Sequence, residues 1–189
     1  MLAIRKGGHR DLERYYSMME IDFDSEELFG RLTLHSALLK GEAELLVFFD
    51  DESKMELGYA FAATNNLYGY VLLKYFGIFP WYREHGLGVE AMRLINKRYA
   101  DKQGIVAEIT DFPDQDEDHQ KKLFRFFARF GYVEVNCACS INGTTDHIWV
   151  KPIKGTADIS PVCRRILSDF YRRLTGGAEA AKIPDVCRY

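Results

Sequence analysis

Long apolar runs are missing from this sequence. None reaches the ~18 residues that a membrane-spanning helix needs, so no membrane partner is expected. A charged-then-apolar leader is missing from the N-terminus as well, which points to the cytoplasm. Basic character is scarce. The 25 Lys and Arg against 28 Asp and Glu leave a net charge of −3 with no cationic stripe, so nucleic acid is not an expected partner. Internal repeats and low-complexity stretches are absent. Cysteine is sparse, with four in the chain. Cys137 and Cys139 lie two apart in a strand pattern, on one face and poorly placed to bridge each other. A zinc site from Cys137, Cys139, His147 and Cys163 fits no known finger spacing. No metal is expected, and the thiols, Cys187 included, read as buried and reduced.

An apolar share of 47% and a charged share of 28% describe a globular chain. Its 189 residues suit one domain, burying roughly 70% of the unfolded surface. Leu2 to Arg5 reads as a first strand, and His9 to Ile21 and Ser25 to Leu39 read as helices. In the second helix Leu28, Leu32, His35 and Leu39 share one face, and His35 reads as a core histidine. Glu44 to Phe49 and Glu56 to Ala63 form a hairpin across a polar turn, and Asn65-Asn66 leads into a strand from Tyr68 to Phe79. Ile105 to Thr110 is a short strand, and Tyr132 to Ser140 with His147 to Lys151 makes a second hairpin across Asn142-Gly143.

The most informative stretch is Phe79-Pro80-Trp81-Tyr82-Arg83-Glu84-His85-Gly86-Leu87-Gly88, between an apolar strand and a helical pattern that includes Ala91, Met92, Leu94, Ile95 and Tyr99. A strand that turns through small residues into a helix leaves backbone N–H groups unpaired at the positive end of the helix dipole. That arrangement suits a phosphate or pyrophosphate. A Cβ at Gly86 or Gly88 would hold the anion away from the backbone. The Gly-Lys-Ser or Gly-Lys-Thr of a Walker loop is absent, and so is the third glycine of the dinucleotide fingerprint.

What remains, Arg83-x-x-Gly86-x-Gly88 after a proline and an apolar strand, resembles the acetyl-CoA pyrophosphate loop of the GNAT superfamily of N-acyltransferases. A second signature lies at the family's spacing: Gln120 to Tyr132 is similar to its helix ending in aromatic-Tyr-x-x-x-Gly-Phe, with Gly131 as the helix stop. The resemblance implies an α/β fold of the α+β type: a mixed, mostly antiparallel sheet of about seven strands flanked by helices and splayed at the cofactor strand. It would span residues 1–153, with residues 154–189 as a C-terminal helical extension.

The implied activity is transfer of an acetyl group from acetyl-CoA to a primary amine, on a small molecule or a peptide, by direct attack. By the same resemblance Ile78 offers its N–H to the thioester oxygen, and Phe76 shapes the pantetheine channel. Arg83, Glu84, His85, Gly86, Leu87 and Gly88 hold the pyrophosphate, with His85 serving packing or phosphate contact. Gln120 stands where the family often places an Asn on the pantetheine arm. Phe127 occupies the position of the usual Tyr, and a phenyl ring has no proton for the departing sulfur. Glu84 stands where the family often has Gly. The loss at Phe127 keeps a second reading open: a catalytically degenerate acyl-CoA binder acting as a sensor or interaction module.

For the base, Glu108 is the candidate, because it lies in the apolar run Ile105 to Ile109, where burial raises a carboxylate pKa. Asp111, Asp114, Asp116, Glu117 and Asp118 form an acidic loop that either steers a cationic amine or complements the next helix N-terminus. The C-terminal helix starts at Ser160-Pro161, lines one face with Val162, Ile166, Leu167, Phe170 and Leu174, and stops at Gly176-Gly177. Alone it would be marginal in water, so it docks on the core, on a second copy in a homodimer, or over the acceptor pocket.

Overall fold

The computed structural model describes residues 1–25, 27–110, 117–141, 144–156 and 158–176. Seven strands form one sheet: β1 (Leu2–Gly7), β2 (Ala43–Asp50), β3 (Glu56–Ala63), β4 (Tyr70–Ile78), β5 (Gly104–Thr110), β6 (Val133–Ile141) and β7 (Thr144–Pro152). Their order is β1-β2-β3-β4-β5-β7-β6. Only β4 and β5 run parallel; every other pair is antiparallel. The antiparallel pairs come from chain-adjacent strands joined by turns, apart from β1·β2 and β5·β7. The parallel pair needs a crossover, which α3 (Leu87–Arg98) supplies.

Both faces of the sheet are covered, so alternate residues of a strand enter different cores. On one face α3 and α4 (Glu117–Arg129) pack Ala91, Met92, Ile95 and Phe127 against Val71, Leu73, Ile105 and Ala107. On the other, α1 (His9–Asp22), α2 (Arg31–Leu39) and α5 (Cys163–Thr175) bring Leu12, Leu34, Ile166 and Phe170 against Leu45, Phe61, Leu72 and Val106. The four α5 side chains Ile166, Leu167, Phe170 and Leu174 are almost wholly buried. At about 1.5–3 kcal/mol each, they account for the docking of a helix that would not persist alone. Gly176, at φ 63°, ends α5 in the left-handed conformation that glycine adopts without strain.

Two readings need correction. The second helix begins at Arg31, not Ser25, and its buried positions are Leu34 and Ala37, while Leu32 and Leu39 face solvent. Two tyrosines explain the late start: Tyr75 Oη accepts from Phe29 N–H at 2.9 Å, and Tyr16 Oη donates to Phe29 C=O at 3.1 Å. With Phe29's backbone groups engaged, Gly30 becomes the N-cap, the helix starts at Arg31 and its apolar face rotates. The thiols are also not all reduced. Cys137 and Cys163 form a disulfide across 26 residues, with Cα atoms 6.8 Å apart. Strand alternation excludes only the 137–139 bridge; docking of α5 brings Cys163 to β6. Asn142-Gly143, residues 111–116, Gly177 and Cys187 lie outside the described residues. Among the described residues no helix is long and apolar enough to cross a membrane, and no cluster of three metal-ligating side chains occurs.

Candidate functional site

The two parallel strands pair only from Tyr70 with Gly104 to Leu73 with Ala107. Beyond Leu73 they part. At the same point the register against β3 slips: Ala62 faces Leu73 while Phe61 faces Tyr75, leaving Lys74 as the extra residue of a β-bulge. The slip is visible in the packing. Tyr70, Leu72 and Tyr75 enter one core, whereas Val71, Leu73 and Ile78 enter the other. A cleft of about 550 Å³ opens where the strands diverge, within the range of small-molecule sites. Phe76, Ile78, Gly88, Leu123 and Phe126 line its α3/α4 side, and Glu27, Phe29, Tyr75 and Tyr171 its other side.

The end of β4 presents a free backbone edge to this cleft. Phe79 N–H donates to Leu57 C=O at 2.9 Å. Strand alternation then turns the N–H and C=O of Ile78 the other way, into the gap that β5 has left. Ile78 C=O there accepts from Arg83 Nε at 2.8 Å. A 3-10 turn at Pro80–Tyr82 follows, and Gly86 caps α3 at φ 75° with no side-chain cap. Among the described residues the N–H groups of residues 84–88 have no acceptor. Gly86 is required by its φ, since a Cβ there would meet nothing within 4 Å. At Gly88 a Cβ would come to 3.8 Å from Phe126, an ordinary contact. Neither glycine is demanded by packing within the chain, so the bare backbone they leave is available to something outside it. Glu84 adopts φ 69°, which costs a side-chain-bearing residue about 1–2 kcal/mol.

The floor of the cleft is charged. Lys74 Nζ donates to Glu108 Oε2 at 2.7 Å and to Tyr171 Oη at 2.8 Å, and Tyr171 Oη donates to Glu108 Oε2 at 2.8 Å. Burial opposes the Lys74 ammonium most strongly, but Glu108, Tyr171, Tyr75 and Asp146 together outweigh it and hold the Lys74 pKa well above its usual value. Burial and the Glu108 charge push Tyr171 well above the usual tyrosine range. Burial pushes the Glu27 carboxyl up to about 7, with Lys74 opposing and Asp146 adding to the rise. Asp146 is pushed up to about 6 by burial and then by Glu108. Thr110 Oγ1 donates to Glu27 Oε1. At the mouth Arg83 pairs with Asp22, which also accepts from Tyr59 Oη at 2.9 Å. Glu108 Oε1 and Asp146 Oδ1 are buried without a hydrogen-bond partner.

Of the residues singled out from sequence, Phe76, Ile78, Arg83, Gly88 and Glu108 line the cleft. Glu84, His85, Gly86 and Leu87 make the loop at its end. Gln120 lies in the first turn of α4, outside the lining. Phe127 turns into the core against Tyr132, ring centroids 5.1 Å apart, and its neighbour Phe126 takes the cleft wall. The Arg83 guanidinium is committed to Ile78 C=O and Asp22. His35 bonds to Glu13 and His9 away from the cleft. Sequence reasoning missed Lys74, Glu27, Asp146 and Tyr171. One signal was available: Lys74 is a lone cation inside the apolar run Tyr70 to Ile78.

No family model and no curated protein matches the sequence. Solved structures do. A structure from Bacteroides thetaiotaomicron assigned to the GNAT acetyltransferases matches at 17% identity and TM-score 0.71, over 92% of this chain and 98% of that one. Arabidopsis thaliana NAA60, in complex with a bisubstrate analogue, matches at 15% identity and TM-score 0.62, over 82% and 100%. The Escherichia coli ribosomal-protein-S18-alanine N-acetyltransferase matches at 15% identity and TM-score 0.60, over 82% and 96%. At such identities the likeness is one of architecture: the chain has the GNAT fold.

Proposed function

We propose that this GNAT-fold chain is an N-acetyltransferase that moves an acetyl group from acetyl-CoA to a primary amine, of a small molecule or a peptide, by direct transfer. The observation that carries the reading is the unpaired backbone at the strand splay: the Ile78 N–H turned into the gap, next to five loop N–H groups without acceptors. The loop amides of residues 84–88 suit the diphosphate of coenzyme A, at the positive end of α3. In line with them, the Ile78 N–H is placed to stabilise the oxygen of a thioester under attack. Phe76 and Phe126 supply apolar walls for the pantetheine arm. Arg83 acts by bracing β4 against α1 rather than by gripping phosphate.

The amine nitrogen attacks the thioester carbon, the C–N bond forms, and the C–S bond breaks to release the thiolate. A thiol pKa near about 8.5 lets the thiolate leave without a proton donor, so a phenyl ring at Phe127 is tolerated. The proton from the amine needs a carboxylate poised near neutrality. Glu108 is engaged through Oε2 by Lys74 and Tyr171, which leaves Glu27 as the better acceptor. We read α5, within the 154–189 extension, as working with the rest of the chain, a reading supported by Tyr171 at the floor of the cleft. The buried, hydroxyl-free Phe127 favours one rival, a binder of acyl-CoA without turnover.

Free-thiol release from acetyl-CoA, with a panel of monoamines, diamines and peptide N-termini, separates the two. Turnover with at least one acceptor is expected. Tight coenzyme A binding with no turnover on a broad panel would leave the rival standing, and no coenzyme A binding at all would remove both.

A further inference from the structure

We infer that the acceptor carries a second positive charge, held at the cleft floor by Asp146 and Glu108, so that the substrate class is a diamine or other compact polycationic amine. The inference rests on the acyltransferase reading of the same cleft.

Charge is the first argument. Among the described residues, four carboxylates line the cleft, Asp22, Glu27, Glu108 and Asp146, against two cations, Lys74 and Arg83. Asp22 is paired with Arg83 and Glu108 with Lys74. Glu27 and Asp146 have no cationic partner among the described residues. With Glu27 taking the proton of the reacting amine, one carboxyl is left over. Buried carboxylates without a cation are costly, and both respond by holding protons above the usual carboxylate range.

Unused acceptor capacity is the second, independent argument. Lys74 and Tyr171 both donate to one oxygen of Glu108, Oε2, and Oε1 has no partner. Asp146 Oδ1 is in the same state, on a residue 4% exposed. Glu108 and Asp146 sit on adjacent strands, where Glu108 pairs with Ile148, two residues from Asp146. Orphaned oxygens on buried carboxyls are rare, because each forfeits the hydrogen bonds that water would have given. An ammonium group has three donors and a full charge, which answers both deficits at once. An amino acid's carboxylate placed there would meet like charge, and a methyl group would leave the oxygens orphaned.

The test compares acceptors of equal reach: 1,4-diaminobutane, butylamine and 4-aminobutanoate, each with acetyl-CoA. The wild-type kcat/KM for the diamine should exceed that for butylamine by roughly tenfold to a hundredfold, the worth of a charge-assisted hydrogen bond, with 4-aminobutanoate lowest. In Asp146→Asn the diamine-to-butylamine ratio should fall towards one. Equal or better use of butylamine by the wild-type protein would overturn the inference without touching the acyltransferase reading. If no amine is turned over, that reading fails instead, and calorimetry of 1,4-diaminobutane against the coenzyme A-loaded protein still decides: binding that butylamine does not match supports the charge assignment, and its absence overturns it.

Discussion

Asp146→Asn should make the unliganded protein more stable at neutral pH, although it removes a carboxylate that the cleft is proposed to use. The folded chain holds the Asp146 proton up to about 6, where the ordinary value is 3.8, because burial and the neighbouring Glu108 disfavour the charge. The unfolded chain therefore releases that proton first. Between pH 3.8 and about 6 the native state binds more protons than the unfolded state, so this group makes stability fall as pH rises, and the loss is complete above that window. Each pKa unit corresponds to about 1.4 kcal/mol, which puts the full destabilisation near 3 kcal/mol. About 1 kcal/mol of it is already present at pH 4.5, so the gap between variant and wild type should widen by about 2 kcal/mol from pH 4.5 to pH 7.5. Urea unfolding of both proteins at the two pH values measures that widening, and titrating groups that do not interact with Asp146 cancel in the difference. A gap that stays constant, or a variant less stable at pH 7.5, would refute the assignment of a strained carboxylate to this floor.

Four further expectations follow from the same geometry. Glu27→Gln should lower kcat by roughly a hundredfold or more and abolish the limb near pH 7 expected in the wild-type kcat/KM profile as Glu27 loses its proton, separate from ionisation of the amine itself; an unchanged limb would assign the proton elsewhere. Glu84→Gly should tighten coenzyme A binding in calorimetry by removing a carboxylate from the loop, and should raise thermal stability slightly, because relief of about 1–2 kcal/mol at φ 69° exceeds the entropy cost of glycine. Cys163→Ser should cost about 3.5 kcal/mol for a closed span of 26 residues, read as a lower denaturant midpoint than that of the oxidised wild-type protein. Tyr171→Phe should raise KM for the amine more than for acetyl-CoA, since it frees Lys74 and Glu108 from a shared partner on the acceptor side.

Much of the fold was legible because its elements obey simple periods. The strand pattern, the strand-to-helix turn at residues 79–88 and the stop at Gly131 come from alternation, glycine placement and turn chemistry acting over short distances. The loop at residues 84–88 stood out for the same reason: the role proposed for it depends on main chain, and Gly86 with Gly88 marks where the main chain is bare. The charged floor of the cleft was opaque. Glu27, Asp146 and Tyr171 come from the α1–α2 connection, β7 and α5, and only the packed sheet brings them within reach of Lys74. The phase of α2 failed on a tertiary contact, two tyrosine hydroxyls bonding the backbone at Phe29. The disulfide was unreadable because a spacing of 26 residues says nothing about which strand a docked helix will approach.

The surplus residue at position 74 lets two halves of one strand answer to different neighbours. Upstream of it, β4 keeps step with β5; downstream, it keeps step with β3 alone. Deleting that single amino acid would remove the bulge and keep both alignments, since Leu73 and Tyr75 would then oppose Ala62 and Phe61 as consecutive pairs. Tyr75 and the residues after it would keep their faces, because Tyr75 would follow Leu73 directly and already lies on the opposite side of the sheet. A point deletion there removes bulge and ammonium together, and a swap of side chain at the same place removes the ammonium alone. Comparing the two would tell how much of this molecule's work is done by an ammonium and how much by mere counting.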